Sequence, residues 1–214
     1  MHQLSLLQVL AVAAIPVLFA ITLHEVAHGW VARLHGDRTA EMLGRLTLNP
    51  LKHIDPIGTV IVPALALAMT GFLFGWAKPV PVATRNLRNP RRDMMLVAAA
   101  GPGANVLMAL FWAFFTKLVS VSGLDGTAAV FFVTMGQIGV FINVILAVFN
   151  MLPIPPLDGG RVLSGLLPPR ASMKLDALEP YGLVLVLAFI YFAWGHLRPV
   201  ISAVTAFIFS IAGV

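Results

Sequence analysis

The sequence predicts an all-α membrane protein, a polytopic bundle of about five to six membrane segments with short β-strand elements in its cytoplasmic loops. Three observations lead there. Only 11% of the residues are charged, against about 25% in a soluble globular chain, too few to cover a surface facing water. The chain is 59% hydrophobic, with a mean hydropathy of +0.91. Its apolar residues are also gathered into blocks near the ~20 residues that cross a hydrocarbon core.

The first block runs from about Leu4 to Trp30 and fades at Arg33–Gly36. Met1 to Gln8 contains no Lys or Arg, and the block runs into a polar cluster rather than a small-residue cleavage site. We therefore expect a retained transmembrane helix, not a signal peptide. In the polar segment Asp37–Asp55, Arg45–Leu48 has strand character and Asn49-Pro50 ends it. Ile57–Trp76 is apolar but broken by Pro63 and Gly71. Lys78–Asp93 is basic and proline-rich, and its Pro79–Val82 reads as an edge strand.

A third block, Met94–Val121, is interrupted by Gly101-Pro102-Gly103, and a fourth covers Ala128–Leu152. A proline-rich segment, Asn150–Arg161, follows. Tyr181–Trp194 and Val200–Val214 close the chain. No internal repeat or low-complexity linker appears, so residues 1–214 read as one domain, with a core over 4–167 and C-terminal helices over 178–214.

Charge suggests the topology. Arg33, Arg38, Arg45 and Lys52 mark one loop as cytoplasmic, and Lys78, Arg85, Arg88, Arg91 and Arg92 mark the next. Both ends of Ile57–Trp76 then lie on one side, so we read this stretch as dipping in and returning. Such backbone at membrane depth must be covered by protein or water. The net charge of +5 is accounted for by this positive-inside bias, and we expect no nucleic-acid partner. With no cysteine in the chain, disulfides, thiol nucleophiles and thiolate metal sites are excluded.

The first block carries His24-Glu25-Val26-Ala27-His28. Two His at i and i+4 share one helix face and can reach one ion. Glu25, beside the first His, can take a proton from a water on that ion, which is the logic of a zinc metalloprotease. Three ionisable groups in an apolar helix are expensive, roughly 2.5–3.5 kcal/mol for a charge at the helix centre, and a metal offsets that. A third ligand must come from elsewhere. Val31 and Leu34 stand where an eleven-residue extension needs Gly and His, and His35 is one position late. Glu41 sits in a polar loop and reads as water-facing. Asp158 is the stronger choice: prolines forbid a regular helix before it, and Gly159-Gly160 permits an unusual backbone after it.

The paired motifs, His24-Glu25-x-x-His28 and Asn150-x-x-Pro153-x-Pro155-x-Leu157-Asp158-Gly159, together with Gly101-Pro102-x-x-Asn105, resemble the site-2 protease family of intramembrane metalloproteases. The resemblance covers Leu4 to about Leu167. It is nearest to the compact prokaryotic form, with no PDZ or CBS domain and no helix ahead of the His-bearing one. The resemblance implies zinc, one ion per chain, on His24, His28 and Asp158, with Glu25 as general base and then acid. It implies Asn150, and more weakly Asn105, as substrate-binding groups. The reaction would be hydrolysis of a peptide bond in or near the transmembrane segment of a single-span membrane protein. The site would lie toward the cytoplasmic side of a multi-pass protein of the cell membrane. The helical substrate would unwind locally, and Arg45–Leu48 or Pro79–Val82 would hold it by β-addition.

Other polar residues read as structural. Gln137 and Asn143 are expected to make interhelical hydrogen bonds, and His53 and Asp55 a turn. His2, His35 and His196 read as interfacial, and Trp30, Trp76, Trp112 and Trp194 as interface anchors or packing. A zinc binder without cleavage is disfavoured by the intact Glu25. An ion transporter is disfavoured because the ionisable groups converge on two motifs instead of lining a path.

Overall fold

The computed structural model describes residues 5–62 and 75–214. Among them the chain is helical. Helix α1, Leu6–Leu34, starts at a reciprocal cap: the Gln8 N–H donates to Ser5 Oγ and the Ser5 N–H to Gln8 Oε1. The short α2, Thr39–Met42, follows a turn at Gly36. Helix α3, Pro90–Val121, opens with proline at its first position, where the missing N–H costs nothing. Next come α4, Gly126–Asn150, the short α5, Asp158–Leu166, and α6, Pro169–Asp176. Helix α7, Gly182–Ala212, stops at Gly213 in the left-handed conformation.

Four stretches are long and apolar enough to cross a bilayer: Leu7–Leu34, Pro90–Val121, Gly126–Asn150 and Pro169–Ala212. The shortest of the four, at ~1.5 Å per residue, exceeds the ~30 Å hydrocarbon thickness. The chain is thus a multi-pass membrane protein.

Four spans among the described residues is fewer than expected, for an identifiable reason. The blocks Tyr181–Trp194 and Val200–Val214 are one helix that runs through Pro199, and α3 likewise runs through Gly101-Pro102-Gly103 without a break. In a membrane bundle a proline need not end a helix, because neighbours satisfy the backbone it frees. The dip expected of Ile57–Trp76 falls on residues 63–74, outside the described residues. Its two ends do meet: the Trp76 N–H donates to Gly58 O at 2.9 Å.

No strand forms among the described residues. Arg45–Leu48 makes bends. Pro79–Val82 is extended but lacks a partner strand, and two of its four residues have no N–H to give a ladder. The bonds of this strap go elsewhere. The Lys78 N–H donates to His53 O at 2.9 Å, and Arg45 donates to Lys78 O and Pro79 O.

The core lies between α1, α3, α4 and α7, around Val12, Ala109, Trp112, Val140 and Ile201. Gly136 and Gly139 let α4 approach α3. A Cβ at either would collide with Thr116 or with the Trp112 indole, the small-residue device of membrane helix interfaces. Trp112 is therefore packing, whereas Trp30 is 52% exposed. Asn143 makes the interhelical bonds expected of it. Gln137 does not; it is exposed and outside the bundle interior.

The two basic loops lie at one end of the bundle. The Arg88 N–H donates to His35 O at 3.0 Å, and the Ala83 N–H to Asp37 Oδ2 at 2.6 Å. Asp55 caps its turn by accepting from the Ile57 and Gly58 N–H groups, and the His53 Nε2–H donates to Thr47 O, so the turn is as expected.

Candidate metal centre

His24 and His28 are one turn apart on α1, 8% and 9% exposed. Behind each ring is a partner that decides its tautomer. The chain of amides begins at Gly139 O, which can only accept, so Asn143 presents its Nδ2 there at 2.8 Å and turns Oδ1 to Asn105. Asn105 then presents Nδ2 to Asn143 Oδ1 and to Ala20 O, and its Oδ1 to His24 Nδ1 at 2.6 Å. A carbonyl oxygen cannot donate, so Nδ1 of His24 carries the proton. His28 Nδ1 donates to Val97 O at 2.7 Å by the same reasoning. Both Nε2 atoms are left as bare lone pairs, the form a metal-binding imidazole takes when its outer partner fixes the ring.

Those lone pairs converge with a carboxylate. Nε2 of His24 and Nε2 of His28 lie 3.0 Å apart, and Asp158 Oδ2 lies 3.2 Å from the first and 3.4 Å from the second. Zinc bonds of ~2.0–2.1 Å in tetrahedral array separate their ligands by about 3.3 Å, so the three atoms match one face of such a site. Asp158 Oδ2 is buried and accepts no hydrogen bond. Three acceptors with no proton between them repel, and a divalent cation removes that conflict. Among the described residues this trio is the one grouping of His, Asp and Glu suited to a metal.

The loop after α4 aims Asp158. Residue 158 opens α5, which packs on α3 and folds back on the loop before it. Gly159 and Gly160 have ordinary helical backbone, contrary to the expectation of an unusual one; neither has positive φ. They are needed for contact. A Cβ on Gly159 would strike Met151 O and Leu152 O, and one on Gly160 would lie 2.7 Å from Pro155 N.

Gly101 plays the same part from α3. A Cβ there would run into His28 Nε2 and lie 2.7 Å from His24 Cε1. Gly101→Ala is therefore expected to splay the two rings and weaken zinc by the ~10- to 100-fold typical of losing an orienting partner. Zinc retained after dialysis against a graded chelator measures it.

Glu25, the residue after His24, turns to the strap, and its Oε2 accepts the Val80 N–H at 2.7 Å. With the trio it faces a cavity of about 170 Å³ walled by Pro79, Val80, Val82, Val97, Ala98, Asn150, Pro156, Leu157 and Arg161. Asn150 lines this cavity, with its Nδ2 on Leu146 O. Asn105 does not line it; fully buried, it stands behind His24 and faces the ligand, not a substrate. Glu41 is held by Arg33 and Arg38 and takes no part, and His35 pairs with Asp93. Sequence reasoning missed Val80 and Val97, which act through backbone atoms that no side-chain pattern reveals. It noted Gly101 as a helix interruption and as part of the Gly101-Pro102-x-x-Asn105 pattern, not as a contact to the two rings.

Several known proteins are similar in sequence to this chain. The family model for peptidase family M50 matches residues 117–193, a span that contains Asn150 and Asp158. YwhC of Bacillus subtilis (strain 168), a zinc metalloprotease by name, is 39% identical over 189 residues, covering 87% of this chain and 81% of YwhC. Rip2 of Mycolicibacterium smegmatis, likewise a zinc metalloprotease by name, is 32% identical over 79% of this chain, which spans 62% of Rip2. Rip2 of Mycobacterium tuberculosis (strain H37Rv) is 31% identical over a similar share, 79% and 62%. No solved structure matches the chain.

Proposed function

We propose, from the premise that this chain belongs to peptidase family M50, that it is a zinc metalloprotease which cuts membrane-protein substrates within the bilayer. The observation that carries this reading is the convergence of two imidazole lone pairs, from a helix of membrane-spanning length that also bears Glu25, with the carboxylate of Asp158. Zinc, held by His24, His28 and Asp158, would supply a Lewis acid that makes a water a competent nucleophile near neutral pH. Glu25 accepts the proton of the attacking water and returns it to the leaving nitrogen. Asn150, on the cavity wall, orients the substrate by its amide. The cavity is small, so a helical substrate enters only after local unwinding. The extended strap Pro79–Val82 lies along the cavity wall, where an unwound segment would run beside it.

The natural substrates on this reading are single-span membrane proteins. On this reading the site faces the cytoplasmic side of the cell membrane, a reading supported by the positive-inside bias of the basic loops at the α1 end.

The test is metal removal and return. The purified protein in lipid nanodiscs is expected to hold one zinc per chain and to cut a single-span substrate. Activity should vanish with chelation and return with added zinc. Cleavage that survives complete zinc removal would overturn the reading.

A further inference from the structure

We infer that Asp37 is a positioning residue for Glu25: it anchors the strap whose Val80 amide holds the Glu25 carboxylate. This rests on the reading of Glu25 as general base. Asp37 is 1% exposed and lies just past α1, after a Gly36 turn with φ 110°. Its Oδ2 accepts the Ala83 N–H at 2.6 Å. Its Oδ1 accepts the Thr39 N–H and Asn86 Nδ2, each at 3.0 Å, and the Thr39 hydroxyl. Burial alone would raise the pKa of this carboxyl, but the bonds from Thr39, Asn86 and Ala83 outweigh it and hold it below the ordinary value. Its bonds tie the turn after α1 to the segment that follows the strap.

The link to the site is short. Three residues before Ala83, the Val80 N–H meets Glu25 Oε2 at 2.7 Å. Prolines 79 and 81 fix their own φ and narrow the choices of the residues before them. An anchor at Ala83 is thus transmitted to Val80 along stiff, extended chain. The need is plain at Glu25, whose flexible side chain has several rotamers. A base must come within ~2.6–3.2 Å of the atom whose proton it takes, and a backbone amide on one carboxylate oxygen restricts its pose.

Asp37→Asn tests this in the full-length protein in nanodiscs. The amide cannot accept at both former oxygens, so at least one anchor is lost. The expected result is a kcat about 10- to 100-fold lower, the scale of a misplaced catalytic group. KM and bound zinc should stay at parental values, and amide hydrogen exchange should quicken across residues 78–87 while α1 and α3 stay protected. A second variant, Val80→Pro, removes the amide on Glu25 together with a buried valine side chain that packs against Gly29, and leaves the Ala83 anchor. It should lower kcat similarly and leave exchange at Ala83 slow, and it decides the matter should Asp37→Asn not fold. Parental kcat in Val80→Pro, or loss of zinc in parallel with activity in Asp37→Asn, overturns the positioning role. A parent protein that binds zinc but cuts nothing removes the peptidase reading instead. Strap exchange in Asp37→Asn that matches the parent then also removes the anchor.

Discussion

Replacing Glu25 by Gln is expected to stop peptide-bond cleavage while leaving the zinc in place. The amide has the shape of the carboxylate and can still accept the Val80 N–H through Oε1, so the 2.7 Å contact has a successor. It cannot take a proton. General acid–base groups are worth about 10²–10⁴ in rate, or roughly 2.7–5.4 kcal/mol of barrier, and here one group serves both proton transfers. The three metal ligands are untouched, so zinc content should equal that of the parent. Single-turnover cleavage of a single-span substrate with parallel metal analysis reads both. Parental cleavage in the variant would mean that another group accepts the proton.

Asp158→Asn is expected to fail one step earlier, at the metal. In the parent, Asp158 Oδ2 is a buried charge with no hydrogen-bond donor, facing two imidazole lone pairs 3.2 and 3.4 Å away. That arrangement is unfavourable when empty and favourable when filled. An Asn amide reverses the preference: its N–H₂ can donate to both Nε2 atoms and satisfy the trio without zinc. Zinc affinity should fall by more than the about 10- to 100-fold that an outer-shell partner costs, and cleavage should fall with it. Thermal stability of the metal-free protein should hold or rise, because an unpaired buried acceptor has gained donors. Metal content and metal-free melting temperature thus move in opposite directions. A variant that keeps its zinc, or whose metal-free form melts well below the parent's, would show that Asp158 serves the fold rather than the metal.

Two substitutions on one site therefore separate chemistry from binding. Gly101→Ala and Asp37→Asn extend the separation outward. The first disturbs how the rings sit, the second how the base is aimed. All four act through contacts among α1, α3, α5 and the strap, which is where the described structure concentrates its buried polar groups.

The sequence by itself determined the solvent class and the ligand types. Long apolar blocks and sparse charge leave only a bilayer, and His24, Glu25 and His28 carry their geometry with them, because helix periodicity puts i and i+4 on one face. Asp158 was legible as well, through the prolines and glycines around it, although the reason for the glycines was not: they serve close approach, not unusual backbone. Tertiary structure alone decided the rest. Whether Pro102 or Pro199 ends a helix depends on neighbours that a local pattern does not contain. The strand expected at Pro79–Val82 depended on a partner that the described residues do not supply, and its Val80 amide was assigned to Glu25 instead. Asn105 took its role from an amide chain that starts on another helix, at Gly139.

 The separation that matters is the 34 positions between Asn105 on α3 and Gly139 on α4. Packing closes it and local periodicity cannot, because a helix repeat relates only residues one or two turns apart.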